Sequence, residues 1–240
     1  MYKKEYYIGS NDVDQFLELK LSSFFKLMQD IATEHAEILD IGKANTLDKG
    51  LYWVITRVEV DIIRMPKYLE TIVLKTYPGD DLKFIFPRYF ILEDLKGNIL
   101  MRASSTWMVL NKNNHHPCLN PFNGKTLPPE HYEGELPLPR KCITSDTSLV
   151  ETRKVRYSDV DLNGHLNNTK YIDYIIDIHD SDFYKKNSIT HFLINYDKEL
   201  MDIISLIYSP ITVIRSILKV KSMVPWPLRS TSLIKRDNYV

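Results

Sequence analysis

Two stretches of the chain carry apolar residues at intervals of three and four, and each predicts an amphipathic helix. The apolar positions of the first stretch are Phe24, Leu27, Met28, Ile31, Ala32 and Ala36. Those of the second stretch are Tyr171, Ile172, Ile175 and Ile176. Side chains that accept hydrogen bonds from the N–H groups at a helix start precede both stretches. The candidate N-caps are Ser22 or Ser23 for the first helix and Asn167 or Asn168 for the second.

Segments with partly alternating apolar and polar residues predict half-buried strands after each helix. Residues 52–62 follow the first helix and residues 192–196 follow the second, and a short strand opens each half. The further strands predicted in the first half are residues 71–77, 84–93 and 99–110. Turn-forming residues at 94–98 predict a hairpin between the last two of these. The sequence thus predicts an α+β fold built twice, in which each half wraps a curved antiparallel sheet around one central helix.

Prolines separate the two halves. Six of the twelve prolines lie between residues 117 and 139. Because proline lacks an amide hydrogen and fixes φ, this stretch predicts an extended linker lying on a surface rather than an interior strand or a helix. We therefore predict an N-terminal domain over residues 1–125, a linker over residues 126–148 and a C-terminal domain over residues 149–240.

Composition and charge narrow the class of protein. The 240 residues are 44% hydrophobic, and 31 basic residues balance 31 acidic ones to a formal net charge of zero. This balance argues against a nucleic-acid-binding protein, which normally carries a basic excess. No apolar run is long enough for a signal peptide or a membrane span. The two cysteines, Cys118 and Cys142, cannot form a disulfide framework, so we expect a reducing, cytoplasmic compartment.

The densest group of polar residues joins a strand to the start of the second helix. Asp161, Asn163 and His165 alternate there, so in an extended loop their side chains would project to one side. Gly164 permits unusual backbone torsions between them. A carboxylate, an amide and an imidazole at a helix start suit a hydrolytic site, where the histidine moves a proton and backbone N–H groups stabilise an oxyanion. The alternative is that the Asp and Asn residues only cap the helix and form turns.

The run from Ser158 to Tyr171 resembles the S-D-x-D-x-N-x-H-x-N-N-x-K-Y signature of the acyl-ACP thioesterases. Softer matches to that family in the first half lie at residues 21–23, 27–30, 35–37, 50–54, 57 and 103–107. The resemblance extends over roughly residues 5–200. It implies a tandem pair of hotdog domains, with the acyl chain inside the first, in agreement with the duplicated α+β plan.

The resemblance also implies hydrolysis of the thioester that joins a fatty acyl chain to acyl carrier protein, with release of the free fatty acid. Asp161, Asn163 and His165 match the family's catalytic Asp, Asn and His, and Glu199 matches its catalytic Glu. Leu200 replaces the cysteine that follows in many plant members, so direct attack by water is expected. Glu199 and His165 would share the general-base work, Asn163 would hold the carbonyl and Asp161 would orient the others. No metal or organic cofactor is implied.

Two further groups of residues bear on what the protein could bind. The basic residues Arg153, Lys154 and Arg156 precede the polar loop and form a candidate docking rim for the acidic carrier protein. The group His115, His116 and Cys118 has too few ligands, and no partner pair follows at zinc spacing, so we predict no metal site there. His35, on the apolar side of the first helix, is expected to be a hydrogen-bonded core histidine.

Two rival functions remain open. The first is an acyl-CoA thioesterase with the same fold and site. The second is a non-catalytic acyl-binding protein with a degenerate second domain, because the expected turns and strand pattern are missing beyond about residue 200. Either a monomer or a homodimer is compatible with a tandem pair of domains.

Overall fold

The computed structural model of the protein describes residues 1–132, 134–142, 148–162, 164–196 and 203–208. The strands of the first half are β1 (Tyr2–Tyr7), β2 (Leu51–Ile62), β3 (Thr71–Pro78), β4 (Phe86–Asp94) and β5 (Ile99–Asn111). Those of the second half are β6 (Ser148–Lys154), β7 (His191–Asn195) and β8 (Ile203–Tyr208). The helices are α1 (Leu21–Ile38), α2 (Asn168–Ile176) and α3 (Ser181–Tyr184).

Six strands form one antiparallel sheet in the order β1-β3-β4-β5-β2-β7. α1 packs on one face of this sheet, because its apolar side carries fully buried residues such as Phe24 and Ile31. Alternate strand residues point to one face of a sheet. Leu74 of β3 and Phe90 of β4 accordingly meet the helix in one hydrophobic cluster. The inner face of the sheet and α1 thus form the core that the α+β prediction required.

A β-bulge at Thr56 divides β2 into two parts. Ile55 pairs with Trp107 and Arg57 pairs with Thr106, so Thr56 is the extra residue opposite β5. The Thr56 hydroxyl bonds to the carbonyl oxygen of Thr106 at 3.0 Å and lies 2.8 Å from the Thr106 hydroxyl. β7 pairs with β2 only over residues 57–61, beyond the bulge. The part of β2 before the bulge therefore lies outside the pairing with β7 and next to the loops of the second half.

The second half extends the first sheet through β7. β2 follows α1 in the first half, β7 follows α2 in the second, and these two strands pair antiparallel. α1 and α2 also contact each other, and the rings of Phe25 and Phe192 meet edge to face at 5.7 Å between centroids. Pairing of like elements is typical of a two-fold related pair of repeats. β6 and β8 form a separate two-stranded antiparallel sheet.

The described part of the predicted linker crosses the outer face of the main sheet. The Tyr77 hydroxyl donates to the Glu135 carboxylate at 3.1 Å, next to β4. Further along, the Arg140 backbone N–H donates to Glu59 of β2 at 2.9 Å, and the Arg140 guanidinium pairs with the same carboxylate. The Cys142 N–H reaches the Asn195 side chain of β7 at 3.4 Å. The linker thus contacts strands of both halves.

The observed elements correct two details of the prediction. α1 begins at Leu21 with Lys20 as its N-cap, and the Lys20 side chain makes no cap hydrogen bond, so neither Ser22 nor Ser23 caps the helix. Buried Leu21 and the bond from the Lys20 N–H to the Asp12 carbonyl, 2.8 Å, fix the helix start instead. β4 begins at Phe86 rather than at residue 84, because residues 82–85 form a tight turn closed by a bridge.

The hairpin predicted at residues 94–98 is confirmed. The Asp94 N–H donates to the Asn98 carbonyl at 3.0 Å, and Gly97 adopts a left-handed φ of 83°. Among the described residues, none of the helices combines the length and the apolar composition that a bilayer span requires.

Candidate active site

The polar loop is anchored to α2 by a buried carboxylate. Asp159 accepts hydrogen bonds from the Arg156 backbone N–H and from the Tyr174 hydroxyl, both at 2.9 Å. Burial, followed by the bond to Asp159, raises the pKa of Tyr174 to about 12, so the phenol stays protonated and keeps donating. Asp159 is only 9% exposed. This contact fixes the loop against the helix that follows it.

Asp161 and His165 lie at the two ends of a tight turn. The Asp161 N–H donates to the His165 carbonyl at 2.8 Å, and the His165 N–H donates to the Asp161 carboxylate at 3.2 Å. Gly164 has a φ of 84°, which a residue with a side chain rarely adopts. The prediction of an extended loop is therefore wrong, because these bonds close the chain into a turn. The turn nevertheless brings Asp161 and His165 together.

The start of α2 lies directly after this turn. The Asn167 side chain accepts hydrogen bonds from the Thr169 N–H and the Thr169 hydroxyl, both at 2.9 Å. Asn167 is thus the N-cap, as one of the two predicted alternatives required. Asn167 caps α2, whereas the Asp161 carboxylate closes the turn and also lines a groove together with His165, so the turn-forming role of Asp161 is compatible with a role in a site.

A groove separates the turn from the first part of β2. Its volume is about 940 Å³, including the part open to solvent. Its described walls are Tyr52, Trp53, Val54, Ile55, Thr56, Met108, Leu110, Asp161, His165, Leu166, Asn168, Tyr171 and Tyr196. A second arm, about 1360 Å³, runs from Asp161 towards α1 and shares Tyr52, Trp53 and Asn168 with the first. The candidate site is therefore built by both halves of the chain.

Tyr196 links this groove to the end of β7. Its hydroxyl donates to the Asn168 carbonyl at 3.2 Å, and its ring meets Tyr171 edge to face at 5.4 Å. Burial raises the pKa of Tyr196 well above its ordinary value, so this hydroxyl remains a donor. Asn163 and Glu199, the other two predicted catalytic residues, lie outside the described residues. In sequence, Glu199 follows Tyr196 by three positions.

The predicted basic rim divides into two kinds of residue. Arg153 pairs with Asp177 at 2.9 Å, and its guanidinium lies over the Tyr174 ring, 4.9 Å from the ring centre. Arg153 therefore supports the structure of α2. Lys154 and Arg156 are exposed, which leaves these two side chains accessible to an acidic partner.

Three histidines outside the candidate site have identifiable contacts. His115 Nδ1 lies 2.9 Å from the Tyr52 hydroxyl. His179 stacks on Phe183 at 4.0 Å, and His191 Nδ1 lies 2.6 Å from Asp61. Over the described ranges, no three His, Cys, Asp or Glu side chains come together in a way that could hold a metal ion.

Sequence reasoning missed the first-half walls of the site. Tyr52 and Thr56 of the first half line the groove together with Tyr196 of the second half, whereas the sequence predicts a site built from second-half residues alone. Tyr52 and Thr56, whose side chains carry hydroxyl groups within the otherwise apolar first part of β2 (residues 51–56), were the available signal. What could not be predicted is the bulge at Thr56 in the pairing of β2 with β5, which lies next to Arg57, where the pairing of β2 with β7 begins.

Comparison with known proteins assigns the chain to a family. A family model described as the acyl-ACP thioesterase N-terminal domain matches residues 1–120, and one described as the acyl-ACP thioesterase C-terminal domain matches residues 144–224. The chain belongs to the acyl-ACP thioesterase family. The resemblance carried by residues 158–171 is thus confirmed.

Individual relatives in this family are distant in sequence. The chain is 25% identical to the chloroplastic palmitoyl-acyl carrier protein thioesterase of Arabidopsis thaliana, over 83% of this chain and 52% of the relative. It is 24% identical to the chloroplastic dodecanoyl-[acyl-carrier-protein] hydrolase of Cinnamomum camphora, over 83% of this chain and 56% of the relative. The chain thus spans about half the length of the curated relatives it matches.

Solved acyl-ACP thioesterases share the fold. An acyl-ACP thioesterase from Bacteroides thetaiotaomicron superposes with a TM-score of 0.78 at 23% identity, over 85% of each chain. The 12:0-ACP thioesterase of Umbellularia californica superposes with a TM-score of 0.68 at 19% identity, over 87% of this chain and 88% of the other. The expected hotdog fold is confirmed. A complete second hotdog and the limits 1–125, 126–148 and 149–240 stay predictions.

Proposed function

We propose that the protein hydrolyses the thioester of fatty acyl-ACP and releases the free fatty acid. The observation that carries the proposal is that Asp161 and His165, which the family signature marks, line one groove with β2 of the first half. That groove adjoins the apolar interior around α1, so a thioester beside His165 can place its acyl chain in the first half. Membership of the acyl-ACP thioesterase family supports the same reaction.

The proposed chemistry is direct attack by water. Glu199 and His165 remove a proton from water, whose oxygen then forms a bond to the thioester carbonyl carbon. Asn163 and backbone N–H groups near the start of α2 hold the carbonyl oxygen while it carries negative charge. The carbon–sulfur bond then breaks, and the proton passes to the leaving thiolate. The Asp161 carboxylate accepts a hydrogen bond from the backbone N–H of His165 and so positions this residue.

Thiol release from acyl-ACPs of different chain lengths tests the proposal. The comparison is between the intact protein and His165→Ala, with the exposed His116→Ala as matched control. We expect the first variant to lose at least about 100-fold in kcat, since a general base contributes on that scale, and the control to keep its activity. The His165 backbone bonds survive the substitution, so folding should not change. Glu199→Gln and Asn163→Ala should show comparable losses.

The same assay separates the rival functions. Faster turnover of acyl-CoA than of acyl-ACP would assign the acyl-CoA reaction to this site. Acyl-chain binding without turnover, by an intact and folded protein, would support the non-catalytic alternative. Full activity in His165→Ala would refute the assigned site.

The proposed partner is acyl carrier protein, docked on Lys154 and Arg156. Arg153 is excluded from the test, because it is bonded to Asp177. We expect Lys154→Glu with Arg156→Glu to raise KM for acyl-ACP about tenfold at low salt and less at high salt. A short synthetic thioester should be unaffected. The control pair Lys185→Glu and Lys186→Glu, also exposed, should leave KM unchanged; equal effects of both pairs would rule out a specific docking rim.

A cytoplasmic location is part of the proposal. Cys118 and Cys142, both within the described ranges, form no disulfide, which agrees with a reducing compartment.

A further inference from the structure

A second, apolar pocket lies between α1 and the inner face of the sheet. It encloses about 450 Å³, including the part open to solvent. Its walls include Ala32, Ile41, Phe86, Arg88 and Leu127. All of these residues are buried, and Arg88 is the charged one among them.

This pocket adjoins the candidate active site. Thr33, Ala36, Trp53 and Trp107 line both the pocket and the groove arm that reaches Asp161. The indole N–H of Trp53 donates to the Ile41 carbonyl at 3.1 Å, and that of Trp107 donates to the Ser105 hydroxyl at 2.8 Å. With their N–H groups engaged, the two indoles offer apolar surface at the junction. Arg88 is not shared with the groove arm, so it lies deeper in the pocket.

Arg88 occupies a position that suits an apolar residue. It alternates along β4 with Phe86 and Phe90, which belong to hydrophobic clusters, and it is 7% exposed. Burial lowers the pKa of Arg88 to about 10, so the side chain still carries its charge at neutral pH. A positive charge therefore stands in the wall of an apolar pocket.

No carboxylate within the described part of the chain forms an ion pair with Arg88. Its Nη1 lies 3.1 Å from His35 Nδ1 and 3.2 Å from the Thr76 hydroxyl oxygen. Both partners are neutral, since burial and the Arg88 charge lower the pKa of His35 to about 4. Guanidinium has five N–H donors and pairs best with carboxylate oxygens. A buried charge held only by neutral partners is costly, and an anionic or oxygen-bearing ligand would offset that cost.

We propose that the pocket binds the far end of an acyl chain that carries an oxygen acceptor there, a carboxylate or a hydroxyl, through the Arg88 guanidinium. The acyl identity of the ligand rests on the proposed function. The methylene groups would pass Trp53 and Trp107, and the oxygen would meet Arg88. Arg88 is thus a specificity-determining residue rather than a catalytic one.

Two measurements on the full chain test this assignment. The first is calorimetric binding of a monocarboxylic, an ω-hydroxy and an α,ω-dicarboxylic fatty acid of equal length. The second is kcat/KM for the corresponding acyl-ACPs. We expect the intact protein to favour an oxygenated chain by about 10- to 100-fold, as for a hydrogen bond to a charged group. The acceptor is the group, hydroxyl or carboxylate, whose acid gains more in affinity and in kcat/KM over the monocarboxylic acid.

Arg88→Met keeps an unbranched, flexible side chain and removes the guanidinium group with its charge. We expect this variant to lose the preference for oxygenated chains. It should bind and hydrolyse the unsubstituted chain at least as well as the intact protein does. Arg64→Met, which removes an arginine paired with Glu70 on the surface, is the matched control and should keep the preference. If Arg88→Met does not fold, Arg88→Lys retains the charge and should weaken the preference.

The outcomes separate this proposal from the proposed function. Equal binding of all three acids by the intact protein would overturn the assignment of Arg88, even if plain acyl-ACP is hydrolysed. Equal loss for every chain in Arg88→Met would show a purely structural role and overturn it as well. Selective binding of oxygenated acids without any turnover would support the pocket and refute the hydrolase.

Discussion

At the scale of single residues, His35 illustrates how packing decides the protonation of a histidine. The side chain is 5% exposed, and its ring stacks on Tyr2 with 5.6 Å between centroids. Burial, followed by the charge of Arg88, lowers its pKa to about 4; Glu130 acts weakly in the opposite direction. The neutral ring can therefore accept the hydrogen bond from Arg88. The sequence-based prediction of a hydrogen-bonded core histidine is confirmed.

We expect His35 to destabilise the fold as pH falls from about 6.5 to about 4. In this window the unfolded chain binds a proton at His35 that the folded chain does not, so the free energy of unfolding decreases with added acid. Above about 6.5 both states are neutral, and the contribution vanishes. Urea denaturation at pH 5 and pH 7 should show a smaller drop for His35→Gln than for the intact protein, by about 1 kcal/mol per pH unit.

The exposed His116→Gln is the control and should retain the full drop. An identical drop in His35→Gln and in the intact protein would show that His35 does not titrate in this window.

At the scale of secondary structure, β7 and α1 hold the two halves together. Phe192 of β7 is 1% exposed and packs edge to face on Phe25 of α1. A buried ring at this junction stabilises the fold because its apolar surface is removed from water. It also fills space that would otherwise be a cavity between elements from different halves. The contact therefore stabilises the pairing of β2 with β7, beside which the groove lies.

We expect Phe192→Ala to lower the free energy of unfolding by about 3–5 kcal/mol, as for other buried phenylalanines. The half-buried Phe183 of α3 stacks on His179, and Phe183→Ala should cost clearly less. Chemical denaturation of the three proteins gives the comparison. A cost below about 1 kcal/mol for Phe192→Ala would mean that the junction relaxes to fill the space.

At the scale of the whole molecule, one buried carboxylate connects the linker, β2 and β7. Glu59 of β2 accepts from the Arg140 backbone and side chain, and His191 of β7 lies 3.3 Å away. Burial acts to raise the pKa of Glu59, but the hydrogen bonds from Arg140 outweigh it and hold the pKa below its usual range. The Glu59 side chain is 5% exposed, whereas the Arg140 side chain is 52% exposed, so water screens this pair from the arginine side.

We expect Arg140→Met to cost about 1–3 kcal/mol at pH 7, because it leaves the Glu59 carboxylate with fewer donors. For a carboxylate with a lowered pKa, the stabilisation exists above the unfolded-state value and is lost as pH falls through the folded-state value. The difference between the variant and the intact protein should therefore shrink below about pH 4.5.

Thermal or urea unfolding at several pH values measures this difference. Lys125→Met is a matched control that breaks an exposed pair with Asp40, and it should change stability by less than about 0.5 kcal/mol. A difference for Arg140→Met that does not depend on pH would assign its effect to packing instead.

The features that a local pattern of residues determines were predictable from the sequence. Helical spacing located α1 and α2, alternation located the strands, and the signature around His165 pointed to two residues, Asp161 and His165, that line the candidate groove. What the sequence did not reveal depends on contacts distant in sequence. The bulge at Thr56, the pairing of β2 with β7 and the buried position of Arg88 are set by residues from different segments, and no single segment encodes them.

The path of the linker limits how this protein can be recombined with its relatives. Tyr77, which is fully buried, bonds to Glu135, whereas Arg140 and Cys142 bond to β2 and β7. A chimera joined at residue 125 would place a relative's linker across the outer face of this protein's sheet. These matched contacts between the linker and the sheet would then be lost. A crossover placed after residue 142 would keep the linker's contacts with Tyr77 of β3 and Glu59 of β2 and would replace only its contacts with β7. Exchange of halves between members of the family should therefore follow the contacts of the linker and not the boundary suggested by the prolines.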